Sequence, residues 1–177
     1  MPRNVVQYDL LISCPGDVSS EIGIIEKAVS QFNVQFSDTL GISIRTKHWQ
    51  KDSYAQSGGK PQALLNEQFV NDCDAAVAIL WTRFGTPTDE YGSGTEEEVE
   101  IMLASGKQVF MYFSDNPLSP SQMNEESYKK VQAFRDKCRP FFLDILQIAV
   151  MILRVNLLMH FVIRALMSGK VYRKIKI

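Results

Sequence analysis

The chain has 177 residues, of which 45% are hydrophobic and 22% charged, a globular balance that excludes a disordered or collagen-like protein. Three scattered cysteines, Cys14, Cys73 and Cys138, with no CxxC pair, exclude a disulfide scaffold and argue against a zinc site. The net charge of −1 hides an asymmetry: residues 1–138 carry 12 basic against 19 acidic groups, and residues 139–177 carry seven against one. An acidic body followed by a basic, apolar tail reads as two unlike parts, 1–138 and 139–177. The acidic body also argues against nucleic acid as its ligand, because phosphate binding needs a basic surface. The polar N-terminus has no signal-like apolar run, so a cytoplasmic protein is expected.

Four β-rich apolar runs begin near Tyr8, Ile42, Ala75 and Gln108, a spacing of 33 to 34 residues that suits a strand plus a crossover helix. The first strand is Tyr8 to Ser13. Ile22, Ile25, Val29, Phe32 and Phe36 then mark a helix, with Asp17 or Ser19 as its expected cap. Gly41 opens a second strand, and Pro61 suits the first turn of a second helix carrying Leu64, Leu65, Phe69 and Val70. The third strand, Ala75 to Trp81, is apolar throughout, as when both faces of a parallel sheet are covered. A third helix starts at Thr95 and stops at Gly106. The fourth strand is Gln108 to Phe113, and a last helix carries Tyr128, Val131, Phe134 and Cys138. The alternation predicts a flavodoxin-like α/β fold: an open parallel sheet of order 2-1-3-4, with room for a fifth strand and helices on both faces. Its ligand crevice would lie beyond the carboxyl ends of strands one and three.

That edge collects Ser13-Cys14-Pro15-Gly16-Asp17, then His48-Trp49 and the polar Ser57-Gly58-Gly59 loop. Trp81-Thr82-Arg83-Phe84-Gly85 and Thr95-Glu96-Glu97-Glu98 complete it. Small residues, two tryptophans, an arginine and carboxylates suit a ligand with aromatic rings and hydroxyls. Glu98 is the sharpest catalytic candidate. With Thr95 as N-cap it stands three residues into the helix, where a capping box is the competing reading. Glu96, Glu97 and Glu100 read as a solvated acidic face. Ser13 and Gly16 can offer a hydroxyl and a backbone N–H to a ribose or phosphate, although a plain strand-to-helix turn has the same pattern. Trp49 and Trp81 are candidates for base stacking and Arg83 for a phosphate, with core packing and a surface ion pair as alternatives. Cys14, near a helix start, is expected to have a lowered pKa, but no histidine triad accompanies it. His48 and His160 lie in unlike regions and make no metal-ligand pair.

The segment Asp74-Ala-Ala-Val-Ala-Ile-Leu-Trp-Thr-Arg-Phe-Gly-Thr-Pro-Thr88, then Ser93-Gly-Thr-Glu-Glu-Glu98 and Gly106-Lys-Gln-Val-Phe-Met-Tyr-Phe113, resembles bacterial TIR-like (Toll/interleukin receptor homology) domains. It is also similar to the related nucleoside 2-deoxyribosyltransferases. Ser13 to Asp17, His48-Trp49 and Gly58 to Gln62 add to the likeness, which covers about residues 5–138. The Ser-x-Trp-Cys of the animal adaptors is absent. The resemblance implies a glycosidic glutamate, Glu98, with Ser13, Gly16 and Asp17 lining the ribose or phosphate side. Trp49, Trp81, Arg83, Phe84 and Thr95 would be further substrate contacts. It implies cleavage of the nicotinamide–ribose bond of NAD+, as substrate and not as cofactor, in bacterial defence signalling, by copies that assemble into a homo-oligomer. A nucleoside-exchanging enzyme and a non-catalytic oligomerisation module are the alternatives.

Beyond Arg139-Pro140 the chain is rich in Leu, Ile, Val, Met and Phe as far as Met167, interrupted by Asp144, Arg154, His160 and Arg164. Its longest charge-free stretch, Ile145 to Leu153, is too short to cross a bilayer. An amphipathic helix is expected over 141–167, packed on the sheet, at an oligomer interface or on an anionic membrane. The relatives continue with a polar segment and a short strand, so a changed reading frame or a truncated gene is a further reading of this tail.

Overall fold

The structure, a computed structural model, describes residues 4–53, 61–117, 123–140 and 146–147. Five strands form one parallel sheet: β1 (Val6–Ser13), β2 (Ile42–Lys47), β3 (Ala75–Leu80), β4 (Gln108–Phe113) and β5 (Leu146–Gln147), in the order 2-1-3-4-5. The expected order of the first four strands is the one found. In register, Leu10 pairs with Ala75, Ala75 with Gln108, and Val6 with Ile42. Residues Tyr112 and Phe113 of β4 pair with β5, whose backbone covers an edge that β4 would otherwise leave open. At these two residues the tail is therefore extended, where a helix was expected. The rest of 141–177 lies outside the described residues, as does the Ser57-Gly58-Gly59 loop.

Strand alternation divides the core in two. Leu10, Ile12, Val77, Ile79 and Tyr112 face α1 (Ser19–Leu40), which buries Ile22, Ile25, Val29 and Phe32 against them. Leu11, Ala76, Ala78, Leu80, Val109, Met111 and Phe113 face the other way. They pack on Phe69, Val70, Val99, Met102, Val131 and Phe134 of the remaining helices. Every residue of β3 is buried, as its unbroken apolar sequence requires of a central strand with both faces covered. Each fully buried Val, Leu, Ile or Phe in these layers contributes roughly 1.5–3 kcal/mol.

The helices differ from expectation mainly at their ends. A single turn, α2 (Trp49–Asp52), follows β2, and the carboxylate of Asp52 accepts the His48 N–H at 2.7 Å. The second predicted helix is α3 (Pro61–Leu65), which continues as one π-helical turn, Asn66–Val70. Its neighbours in sequence are α4 (Gly94–Ala104) and α5 (Glu125–Cys138). Neither Asp17 nor Ser19 caps α1: Val18 holds the N-cap position without a side-chain bond, and Ser19 is already helical. Gly41, at φ 66°, closes α1 with its N–H on the Ser37 carbonyl, a left-handed position that glycine fills without steric cost. All five strands run parallel, so their carboxyl ends meet at one edge, where the β1–α1, β2–α2 and β3–α4 loops gather.

Candidate functional site

A cavity of about 490 Å³ opens at that edge. One wall is the loop after β1, through Cys14, Pro15 and Gly16. A second is the segment after β3, through Thr82, Arg83, Gly85 and Thr86. The start of α4, the Gln62 and Leu65 side of α3, and Asn124 and Ser127 at the start of α5 close the rest. Gly85 turns the chain at φ 102°, a conformation that other residues rarely adopt.

Glu98 lines this cavity and is only 8% exposed. It belongs to the buried stripe of α4, Thr95, Glu98, Val99 and Met102, where helical spacing calls for apolar residues. The side chain spans to β1: Ser13 Oγ donates to Glu98 Oε2 at 2.5 Å, while Gln62 Nε2 donates to Oε1 at 3.1 Å. Among the described residues it has no cationic partner. Burial raises its pKa, the Ser13 and Gln62 hydrogen bonds oppose that rise, and the charge of Glu97 adds to it.

The capping register differs from the one read in the sequence. Ser93 is the N-cap of α4; its hydroxyl accepts the Glu96 N–H at 3.1 Å, and Glu96 Oε2 reaches back to the Gly92 N–H at 2.9 Å. The segment Ser93-Gly-Thr-Glu-Glu-Glu98 holds two overlapping Ser/Thr-x-x-Glu patterns, and the first is the one used. Glu98 is thereby released from any capping task and lies a full turn inside the helix. Its acidic neighbours are paired, where a solvated face was expected. Lys137 on α5 bridges Glu96 and Glu100 at 3.3 and 3.4 Å, and Asn66 Nδ2 donates to Glu97 Oε1 at 2.7 Å.

The other candidates divide into those at the cavity and those that support it. Gly16, Trp49, Arg83 and Thr95 line it with Glu98, and Ser13 stands behind the carboxylate, fully buried. Trp49 is 38% exposed at the mouth, its ring 5.8 Å from that of His48. Arg83 makes no ion pair among the described residues. Asp17 is a brace: its Oδ2 accepts the Thr82 N–H at 3.1 Å, the Thr82 hydroxyl at 2.9 Å and the Arg83 N–H at 2.9 Å. This ties the loop after β1 to the segment after β3. Trp81 packs against the α1 side of the core and donates Nε1–H to the Asn116 carbonyl. Phe84 is core, its ring edge-on to Phe134 at 5.4 Å. Lys107 lies at the opposite edge of the sheet, where it closes the π-helical turn through the Val70 and Asn71 carbonyls.

Cys14 reverses its expectation. Its thiol is buried beside Glu98, Asp17 and Glu21, and burial together with these carboxylates pushes its pKa up to about 12. Being near a helix start does not offset that environment. Its Sγ sits 3.5 Å from His48 Nε2, and burial lowers the His48 pKa, so the pair joins a thiol and a neutral imidazole. Gln62 went unassigned as a site residue from sequence because its partner stands 36 positions away. The local signals are its position just after Pro61, the first residue of a helix, and its place at the end of the Gly58 to Gln62 stretch.

Fold and site together define an open α/β protein with a buried carboxylate in the crevice at the switch point of a parallel sheet. The family model described as "Domain of unknown function (DUF4062)" matches residues 39–140, more than half of the chain, and the chain belongs to that family. No curated protein matches. Among solved structures, the chain is similar to the translation elongation factor SelB from Methanococcus maripaludis in its apo form. Identity is 12%, with 97% of this chain and 36% of that one covered, at a TM-score of 0.49. A conserved protein from Enterococcus faecalis V583 is 15% identical over 86% of this chain and 88% of its own, at a TM-score of 0.40. Homoserine dehydrogenase from S. aureus is 15% identical over 75% of this chain and 31% of its own, at 0.36. This chain therefore spans about a third of the elongation factor and of the dehydrogenase.

Proposed function

We propose that the crevice cleaves the N-glycosidic bond between nicotinamide and ribose in NAD+, with Glu98 as the catalytic carboxylate. The observation that carries this reading is the environment of Glu98: a buried acid on a cavity wall, held by one hydroxyl and one amide and by no described cation. Such a group is available to a cation that forms in front of it. In this reaction the C–N bonding pair leaves with nicotinamide, which departs neutral. The positive charge passes to the ribose as an oxocarbenium ion, as in glycoside cleavage generally. A fixed carboxylate beneath that ring stabilises the charge where it develops. Water adding at the anomeric carbon and losing a proton gives ADP-ribose, nicotinamide and H+; attack there by an adenine nitrogen of the same molecule gives a cyclic product, nicotinamide and H+.

The surrounding residues suit the rest of the substrate. Gly16 permits close backbone approach, Thr95 offers a hydroxyl, Arg83 a cation for the diphosphate, and Trp49 an aromatic face at the mouth. The reading includes kinship with TIR-like domains, supported by the ordered motifs from Ser13 to Phe113. In those domains copies assemble to complete the site, so the assembled protein is the sample to assay.

The test is incubation of the purified chain with NAD+ and chromatographic measurement of nicotinamide, beside a second incubation with a deoxynucleoside and a free base. Nicotinamide release is the expected result. Base exchange without NAD+ loss would replace this reading with a nucleoside transferase, and neither reaction would remove the catalytic role.

A further inference from the structure

We propose that Gln62 is a positioning residue for Glu98, the last link of an amide chain that runs from Glu97 through Asn66 and Gln62 to Glu98. The proposal rests on the reading of Glu98 as the reacting carboxylate. Each link determines the orientation of the next. Glu97 Oε1 can only accept, so Asn66 turns Nδ2 toward it, at 2.7 Å. That leaves Asn66 Oδ1 facing Gln62, which must then present Nε2, at 3.1 Å. The same Nε2 donates its other hydrogen to Glu98 Oε1, also at 3.1 Å. A free glutamine amide can turn either end toward a neighbour; this one is held donor-first by a second carboxylate.

Local structure makes the chain possible. Pro61 starts α3, so Gln62 and Asn66 stand four residues apart, neighbours on one side of a helix. Asn66 opens the π-helical turn and is buried. Gly94 then provides the space. A Cβ built on Gly94 would lie 2.5 Å from Gln62 Oε1 and 3.0 Å from its Cδ. Gly94 is helical and at no positive φ, so the absent side chain matters here for room and not for backbone freedom.

With Ser13 on Oε2 and Gln62 on Oε1, both oxygens of Glu98 are held, and the carboxylate plane is fixed toward the cavity. Both bonds favour the ionised form against burial and against Glu97 on the same helix. Cys14 and Arg83 share the cavity with Glu98, and behind Cys14 stand His48 at 3.5 Å and the carboxylates of Asp17 and Glu21 that act on its thiol. Gln62 therefore acts on both the orientation and the charge of Glu98.

The test uses the full chain labelled with carboxyl-13C glutamate and no substrate, with the Glu98 resonance assigned by its loss in Glu98→Gln. Gln62→Met keeps the length and removes the donor. Gly94→Ala leaves both partners intact and pushes Gln62 away. The titration midpoint of Glu98 should move upward in both variants. In the NAD+ assay, kcat at neutral pH should fall about tenfold with little change in KM, the effect of losing one hydrogen bond to a charged group. Lower melting temperatures with an unmoved Glu98 midpoint in both variants would overturn the proposal. Moved midpoints in a chain that releases no nicotinamide would remove the proposed reaction and leave the positioning role standing.

Discussion

Asp9 and Glu98 both meet the same face of β1, at positions only four residues apart on the strand, and they are treated in opposite ways. Asp9 faces β2. Arg45 donates to it through Nε at 2.9 Å and a terminal nitrogen at 2.6 Å, and Lys47 approaches to 3.0 Å. Burial would raise its pKa, but the hydrogen bonds and charges of Arg45 and Lys47 outweigh burial and lower it. Glu98 meets β1 at Ser13 and receives only neutral donors, so burial prevails and its pKa rises. The first acid helps hold β1 to β2. The second is held by neutral groups in a buried place that disfavours its charge, a recurrent property of reacting groups.

Removing the uncompensated charge should have the largest effect. Glu98→Gln keeps the size of the side chain and is expected to lower NAD+ cleavage by about 10²-fold or more. A third acid sharpens the comparison, because Asp17 supports the crevice without facing it. Asp17→Ala leaves the Thr82 and Arg83 N–H groups without their acceptor and should cost about 2 kcal/mol, read as a lower urea midpoint. Asp9→Asn should cost less, about 1 kcal/mol, since Arg45 is largely exposed. Its pH signature follows from a lowered folded-state pKa. The Asp9 contribution is complete above the unfolded-state value, near 3.9, and is lost as pH falls through the folded one.

The smallest effect carries the sign that separates the two acids. Because the folded-state pKa of Glu98 is raised, the folded protein binds more protons than the unfolded chain between the two pKa values. The Glu98 contribution to stability therefore falls as pH rises through that window. Melting curves from pH 4 to 8 should show the wild type losing stability relative to Glu98→Gln as pH increases. Relative to Asp9→Asn the wild type should show a level difference across that range, and should gain only in a second series below about pH 4, as pH rises toward the unfolded-state value. Equal slopes for both pairs would break the comparison.

Much of this architecture is readable in the chain, because local pattern and tertiary role agree there. The four strands begin at or within a residue or two of their apolar runs, and Gly106, at φ 71°, ends α4 region by the left-handed turn expected of it. The buried stripe of α4 already contained Glu98. What local pattern could not decide was register and direction. Two overlapping capping patterns made Thr95 as plausible an N-cap as Ser93. Alternation carried past the end of β3 sent Trp81 toward α1, while the loop beyond the strand takes Phe84 into the other core, although adjacency in sequence grouped both with Arg83. The four residues of α2 are too few for periodicity, and nothing local marks a π-helical turn. Cys14 depends on the carboxylates that the fold brings around it, and Gln62 on a glycine 32 positions away.

The contrast between the two acids is tested most directly by nicotinamide release from NAD+ in three assembled proteins: wild type, Glu98→Gln and Asp9→Asn. Each is assayed well below its own melting temperature. The account predicts release by the wild type, near-complete loss in Glu98→Gln despite an intact fold, and retained turnover in Asp9→Asn despite its lower melting temperature. Full turnover in Glu98→Gln, or equal losses in both variants, would contradict it.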